Sequence, residues 1–353
     1  MRKHFIDNIR WSTVIIVLIY HVFYLFNSVG VLGGIGGFKQ VQYQDSFLYF
    51  VYPWFMALLF LIAGISSRYA LTKSSCKSFI KDKTTKLLVP STLGLFVFHF
   101  ITGYMNIKVG GGLPQIPPVL LYPISVLSGI GPLWFIQTLY LFSLILVLIH
   151  KLDSHDNLYN IFKKCNLLIL ILMFLPVYAA SQVLNMPVIT TYRFGIYFFV
   201  YLLGYFVFSH DEIQTLLSRY AIPLFIGSVL MGIFYTLYFF GQNYTDAFVL
   251  QHIYTNLYLW FAILAILACG KAYFDKTSKF ATYMSQASFG IYIVHYAVTL
   301  LICYSLKTYV QLPTAIIYGI AMLGVLMISP ILYELLRRIP FIRFLIFGIK
   351  KNK

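Results

Sequence analysis

The sequence predicts an all-α integral membrane protein, built as a bundle of about ten transmembrane helices with both termini cytoplasmic. Hydrophobic residues make up 60% of the 353 residues, charged residues only 10%, and the mean hydropathy is +0.82. Soluble domains carry about 25% charged residues. A chain with so few charges cannot cover a water-facing surface, which excludes a soluble enzyme, a secreted disulfide scaffold and a disordered regulator.

Ten apolar runs are long enough to cross a bilayer, since a spanning helix needs about 20 mostly apolar residues. The first run follows a basic N-terminus but lacks a small-residue cleavage pattern, so we expect a retained helix rather than a signal peptide. The segment 113–130 is apolar but contains four prolines, and we expect an interfacial or re-entrant piece there. The ten runs lie near 11–29, 47–66, 86–104, 132–150, 167–186, 194–209, 220–240, 247–269, 286–304 and 314–336.

The distribution of basic residues favours this count and orientation. With the N-terminus inside, 22 of the 26 Lys and Arg residues fall on the inner side. Cytoplasmic loops carry such an excess of positive charge, and one helix more or fewer would scramble the split. The net charge of +16 therefore reflects membrane topology, and we expect no nucleic-acid partner. The outer four are Lys39, Lys108, Arg193 and Lys307.

The loops are short and no internal repeat is visible, so we expect one transmembrane domain over residues 1–353. The four cysteines show neither a CxxC motif nor a Cys/His metal spacing. We expect free thiols and no metal. Any function must then lie inside the bundle or at its two mouths.

The first helix carries the most informative pair of ionisable residues, because such groups are costly inside a bilayer. Arg10 and His21 are eleven residues apart, which is about 16 Å of helical rise and almost three whole turns. They therefore share a face, with Arg10 at the inner surface and His21 near the membrane centre. Arg10 could hold an anion at the cytoplasmic surface, and His21 could act as a base about half a bilayer away. A long donor with a phosphate head and a reactive far end would fit this separation. The alternatives are a topological anchor for Arg10 and a structural hydrogen bond for His21.

The ninth helix predicts a second polar stripe. Ser288, Tyr292, His295 and Thr299 follow the i, i+4, i+7, i+11 spacing and share one face. His295 is expected at a depth similar to that of His21. The alternative is interhelical packing with satisfied polar groups.

Four segments together resemble the membrane acyltransferase 3 family. FIDNIRWSTVIIVLIYHVFYLF is similar to its opening, with an Asp-x-x-Arg element at Asp7 and Arg10 and the same spacing to His21. FLIAGISSR resembles the segment closing helix two, although Ala63 replaces its Ser. GPLWFIQTLYLF is similar to the Leu-Trp-Phe-Leu segment, without the Glu that some members carry after the Trp. SFGIYIVH matches the late Phe-Gly-Ile-Tyr-x-x-His element.

The resemblance implies transfer of an acyl group from cytoplasmic acyl-CoA to a hydroxyl of a cell-surface glycan, a lipid-linked sugar or another membrane-accessible acceptor. The missing Glu makes the chain more similar to the glucan-succinylating and small O-acetyltransferase branches. Acetyl-CoA is the expected donor, in a bacterial-type plasma membrane. Without the extracytoplasmic hydrolase-like domain of some members, the transmembrane domain is expected to finish the transfer itself. The acceptor, the acyl length and a direct or covalent route stay open.

Candidate site residues follow from the resemblance together with their predicted positions in the bundle. His21 is the expected general base, since attack of an alcohol on a thioester needs a base of near-neutral pKa. His295 is expected to orient His21, to donate to the thioester oxygen or to contact CoA. The residues expected to bind the acyl-CoA donor are Arg10, Asp7, Arg68 and Tyr292, helped by the basic cluster 73–86. The residues expected to contact the acceptor are Trp134, Gln137 and Arg193.

Each of these assignments has a plainer alternative. The basic cluster 73–86 also suits topology and contact with anionic lipids. Trp134 also suits an interfacial aromatic anchor. Arg193 lies on the predicted outer side with His99, His252 and Asp246, where single residues are often structural.

Two other functions compete with acyl transfer. A transporter typically shows inverted repeats and broken helices, and only the proline-rich segment 113–130 points that way. A lipid-linked sugar glycosyltransferase usually needs outer carboxylates. Only Asp45 and Asp246 are available there, far apart in sequence.

Overall fold

The computed structural model describes residues 3–187 and 191–350 as an almost entirely helical chain. The α-helices, in chain order, are α1 His4–Leu25, α2 Ser46–Val51, α3 Phe55–Leu71, α4 Cys76–Lys83, α5 Val89–Gly94, α6 Phe100–Val109, α7 Pro118–Ser128, α8 Trp134–Leu152, α9 Asn157–Phe162, α10 Leu167–Leu172, α11 Phe174–Ser181, α12 Phe194–Phe206, α13 Asp211–Ser218, α14 Ala221–Phe239, α15 Ala247–Gln251, α16 Ile253–Tyr273, α17 Lys279–Tyr309, α18 Thr314–Leu336 and α19 Pro340–Phe347.

Shorter elements complete the described ranges. Two π-helical segments, Thr84–Leu88 and Leu95–His99, lie on either side of α5. Three 3-10 turns span Tyr43–Asp45, Leu113–Gln115 and Gly131–Leu133. Strands β1, Asn185–Pro187, and β2, Thr191–Arg193, pair antiparallel with Asn185 opposite Arg193.

Among the described residues, eight helical segments are long and apolar enough to cross a membrane, or nine if one bent pair is a single span. They are His4–Leu25, Tyr43–Leu71, Cys76–Val109, Gly131–Leu152, Ala221–Phe239, Ile253–Tyr273, Lys279–Tyr309 and Thr314–Leu336, and the bent pair is Phe194–Phe206 with Asp211–Ser218. The predicted all-α membrane bundle is confirmed.

Two predicted spans differ from a straight helix. The apolar run near 167–186 forms α10 and α11, which meet at Met173, and the apolar helix Leu167–Ser181 is too short for a full span. The run near 194–209 becomes α12, and α13 turns away from it by 103°. The count of ten and the cytoplasmic termini therefore stay predictions. The proline-rich segment forms the short apolar helix α7 with Pro123 inside it. Arg2, Lys351 and Lys353, counted in the charge argument, lie outside the described residues.

Two compact units make up the fold, each assembled from separated parts of the chain. The first contains residues 1–13, 43–76 and 144–285, and the second contains 14–42, 77–143 and 286–353. This division into compact units does not test the prediction of one transmembrane domain, which stays a prediction.

In the first unit, α3 and α12 pack backbone against backbone through reciprocal glycines. A Cβ atom on Gly64 would lie 2.0 Å from the carbonyl oxygen of Tyr201, and one on Gly204 would lie 2.1 Å from that of Leu61. Small residues are the usual means of close helix approach in membranes. This pairing holds α3 rigidly where its end carries Arg68.

Candidate active site

The second unit brings His21 of α1 and His295 of α17 into direct contact. The Nδ1 atom of His21 lies 3.2 Å from the Nε2 atom of His295, and the ring centroids are 4.9 Å apart. His295 is fully buried, whereas His21 keeps a partly exposed side chain. The buried His295 thus packs against a histidine that is itself partly exposed.

Backbone carbonyls define the tautomers of both histidines. The Nδ1 atom of His21 lies 2.8 Å from the carbonyl oxygen of Val17, and that of His295 bonds the carbonyl oxygen of Tyr292. A carbonyl only accepts, so both Nδ1 atoms carry the proton and both Nε2 atoms are acceptors. The Nδ1–H of His21 is then shared between Val17 and His295. The Nε2 lone pair of His21 is left free to take a proton.

Aromatic rings surround the accessible histidine. The rings of Tyr20, Tyr24 and Tyr296 lie 5.2, 6.1 and 5.1 Å from that of His21, all roughly edge-on to it. Behind the pair, the hydroxyl of Thr299 donates to the carbonyl oxygen of His295 and is fully buried. Within the polar stripe of α17, Thr299 thus bonds inside its own helix, whereas His295 also contacts His21.

Tyr292, Trp134 and Gln137 lie around the start of α8. The hydroxyl of Tyr292 donates to the carbonyl oxygen of Pro132 at 2.5 Å, which ties the turn before α8 to α17. Gln137 donates from Nε2 to the carbonyl oxygen of Ser91 at 3.0 Å. The Trp134 side chain is half-buried at the first residue of α8. Their predicted contacts with donor and acceptor stay predictions.

A third histidine, His99, lies in the same unit as the histidine pair. It ends the π-helical segment Leu95–His99, and such segments are frequent at functional sites. Its Nε2 atom is buried without a hydrogen-bond partner in the described part of the chain, as is the hydroxyl of Thr102 one turn later. Sequence reasoning grouped His99 with outer-face residues, because spacing along one helix does not reveal which neighbours it meets.

In the first unit, Arg10 forms a partly exposed ion pair with Asp7. Its Nη1 atom lies 3.0 Å from the Oδ1 atom of Asp7, and its Nη2 atom donates to the hydroxyl of Ser66 at 2.6 Å. About a third of the Arg10 side chain is exposed. The Asp-x-x-Arg spacing places the carboxylate one turn before the guanidinium, which it orients. Arg10 and His21 lie on one continuous helix, α1.

Arg68 is occupied by a carboxylate of the chain itself. Its two terminal nitrogens bond the two oxygens of Asp156 at 2.6 and 2.8 Å, and its guanidinium stacks 3.7 Å from the Tyr159 ring centroid. This hydrogen bond lowers the pKa of Asp156 below its ordinary value. Asp156 engages both terminal nitrogens of Arg68, Nη1 and Nη2. The predicted contact of Arg68 with the donor stays a prediction.

Arg193 is enclosed rather than presented at a surface. Its side chain is 1% exposed and donates from Nη2 to the carbonyl oxygen of Leu250 and to Asn256. Its Nε atom lacks a partner among the described residues, and none of their carboxylates lies within ion-pair distance. An uncompensated buried charge is costly. The predicted acceptor contact of Arg193 stays a prediction.

No cluster of three or more His, Cys, Asp or Glu side chains suited to a metal occurs in residues 3–187 and 191–350. The dyad itself offers two imidazoles without a carboxylate, a set suited to proton transfer.

Comparison with known proteins assigns the chain to a family. A family model described as an acyltransferase domain matches residues 3–334. The chain is 22% identical over 371 aligned positions to a protein named glucans biosynthesis protein C from Escherichia coli O17:K52:H18 (strain UMN026 / ExPEC), covering 98% of this chain and 94% of that protein. No solved structure matches the chain. Nearly the whole sequence falls within the matched range, and the chain therefore belongs to the acyltransferase 3 family of integral membrane acyltransferases.

Proposed function

We propose that the protein is an O-acyltransferase that moves an acyl group, acetyl first among the candidates, from acyl-CoA to a hydroxyl of a glycan or lipid-linked acceptor. The observation that carries this proposal is the histidine pair, in which the partly exposed His21 keeps a free Nε2 lone pair. A bacterial plasma membrane is the proposed location. The name of the glucan-biosynthesis relative supports a glycan acceptor.

His21 acts as general base in this proposal. Its Nε2 atom accepts the proton of the acceptor hydroxyl while that oxygen attacks the thioester carbonyl carbon. The carbon–sulfur bond then breaks, and the leaving thiolate takes the proton back from Nε2. The products are the ester and CoA thiol, so no oxidant, reductant or metal is required.

His295 acts as a positioning residue. The imidazolium formed on His21 keeps its Nδ1–H aimed at the Nε2 atom of His295, 3.2 Å away. A hydrogen bond from a charged donor is worth more than a neutral one. The role resembles that of the carboxylate in a Ser-His-Asp triad, which orients the base and stabilises its charged form.

Arg10 anchors the donor in this proposal. Asp7 and Ser66 hold the guanidinium while part of it stays exposed for a CoA phosphate. Continuous α1 helix carries the anchor and the base about 16 Å apart along its axis. A donor with a long flexible arm suits such a separation.

Two measurements test the proposal. Membranes supplied with labelled acetyl-CoA should transfer label to their lipid or glycan fraction with the wild type and with His155→Ala, a loop histidine, but not with His21→Ala. Acetyl-CoA should raise the melting temperature of the wild type and of Arg219→Ala, but hardly that of Arg10→Ala. Label transfer by His21→Ala at the wild-type rate would remove the base assignment, and equal stabilisation of Arg10→Ala would remove the anchor.

A further inference from the structure

A cavity of about 570 Å³ in the second unit lies outside the histidine site. The π-helical segment Thr84–Leu88 with the end of α4, the α17 segment around Gln286, the end of α18 and the chain after α19 form its walls. Neither the proposed acyl transfer nor the predicted site residues make use of it.

The rim of the cavity is cationic. Lys81, Lys86 and Lys350 line it and are exposed, against one carboxylate, Asp82. That carboxylate already pairs with Lys86 at 3.0 Å, so positive charge remains in excess. The side-chain amide of Gln286 also lines the cavity. Such a rim suits a phosphate group.

The floor of the cavity is aromatic and tightly packed. Tyr333 and Phe347 are 2% and 1% exposed, with ring centroids 5.1 Å apart. A Cβ on Gly290 would lie 2.1 Å from the Tyr333 ring, and one on Gly348 would lie 2.0 Å from the carbonyl oxygen of Thr85. Gly348 also has a positive φ of 63°, which favours glycine. These two glycines let the walls close around the floor, which leaves the basic rim as the exposed part of the cavity.

Helical geometry separates this cavity from the histidine pair. Gln286 and His295 are both on α17 and nine residues apart, about two and a half turns, so they point to opposite sides of the helix. Gly290 faces Tyr333 of α18, whereas His295 faces His21 of α1. A ligand held in the cavity is therefore directed away from the histidines.

The same end of α18 presents an apolar stripe to the surroundings. Met327, Ile331 and Leu335 follow the i, i+4, i+8 spacing and are all more than half exposed, as is Phe341 at the start of α19. In a membrane protein such a stripe contacts acyl chains. Ile331 and Leu335 are each two residues from the cavity-lining Tyr333, about 160° around the helix, so lipid contacts α18 on the side away from the cavity.

We propose that this cavity binds the phosphate head group of an anionic phospholipid, drawn from the lipid that surrounds α18, with Lys81, Lys86 and Lys350 around the phosphate. The site goes beyond acyl transfer and does not depend on it. Its shared chemistry, an organic phosphate, is also that of CoA, and the experiment separates the two sources.

The test measures lipid adducts of the purified full-length protein by native mass spectrometry after exchange into phosphatidylglycerol or phosphatidylcholine. The wild type should retain phosphatidylglycerol preferentially. Lys81→Gln/Lys86→Gln should lower that adduct by about tenfold or more, because each basic residue contributes to binding of anionic head groups. The control Lys164→Gln/Lys276→Gln removes the same charge from exposed positions elsewhere and should leave the adduct unchanged.

A cavity-filling variant keeps the charges and tests the space itself. Gln286→Trp should also lose the phosphatidylglycerol adduct while its melting temperature stays near that of the wild type. Equal retention of both lipids, or equal loss in the control, overturns the proposal. Displacement of phosphatidylglycerol by CoA, together with loss of CoA binding in Lys81→Gln/Lys86→Gln, also overturns it and assigns the cavity to the donor.

Discussion

Replacing His295 tests whether the second histidine works through the first. In His295→Phe the Nδ1–H of His21 loses its acceptor 3.2 Å away but keeps the carbonyl oxygen of Val17 at 2.8 Å. One of two acceptors is lost, and with it part of the stabilisation of the imidazolium. A hydrogen bond from a charged group contributes about 1.5–3 kcal/mol. At about 1.4 kcal/mol per tenfold, the rate of transfer should fall by about 10- to 150-fold.

A matched substitution distinguishes this role from packing. In His295→Gln the side-chain amide oxygen is expected to replace the Nε2 acceptor, so much of the activity should return, although the ring is lost. The assay is single-turnover transfer of label from acetyl-CoA, with the donor Kd measured in parallel. Both variants should bind the donor like the wild type, since the interaction is strengthened only after proton transfer.

Two results would refute the reasoning. If His295→Phe transfers at the wild-type rate, the contact has no part in the reaction. If His295→Gln is as slow as His295→Phe and both melt well below the wild type, the residue serves packing alone.

Three further predictions concern the first unit. Gly64→Ala should destabilise the protein by about 1–3 kcal/mol, because its Cβ would overlap the carbonyl of Tyr201; an unchanged melting temperature would show that α3 and α12 can separate freely. Arg10→Lys should retain part of the donor affinity that Arg10→Ala loses, since Lys supplies charge but not the planar fork; equal Kd values for the two variants would point to a purely geometric role. Arg68 lowers the pKa of Asp156 in the folded protein. The ion pair therefore stabilises the fold fully at pH values above the pKa of an unfolded Asp, about 3.9, and this stabilisation is lost as the pH falls through the lower pKa of the folded state. Melting temperatures of the wild type and Asp156→Asn should therefore converge below about pH 4, and a constant gap down to pH 2 would contradict the pairing.

The fold class follows from composition and apolar run lengths alone, since a bilayer requires long apolar helices. The bend after α12 does not follow from them. The apolar run ends at the polar residues Ser209, His210, Asp211 and Glu212, but run length does not give the 103° angle between α12 and α13. The close packing of α3 and α12 through glycines could not be predicted from the sequence either, because Gly64 and Gly204 are far apart and neither helix shows a glycine motif at these positions.

The candidate site was partly within reach of sequence. Helical spacing put His21 on the face of Arg10 and gathered the α17 stripe, but it could not supply the pairing of His21 with His295. Spacing also gave no sign that Asp156, from a loop, occupies Arg68. The sequence offered one signal for His99, namely a histidine within an apolar run. That its Nε2 atom is buried without a hydrogen-bond partner is visible only in the structure.

The tautomers of the two histidines have a bioenergetic consequence. Because both Nδ1 atoms are committed to carbonyls, only the Nε2 atom of His21 is left to exchange a proton with substrates. The proton taken from the acceptor and the proton returned to the thiolate then pass through the same nitrogen. The dyad ends each turnover in its starting charge state, and donor and product carry equal charge. Acyl transfer by this route is electrically silent, so its rate should not respond to the membrane potential, and an ionophore that collapses the potential should leave it unchanged.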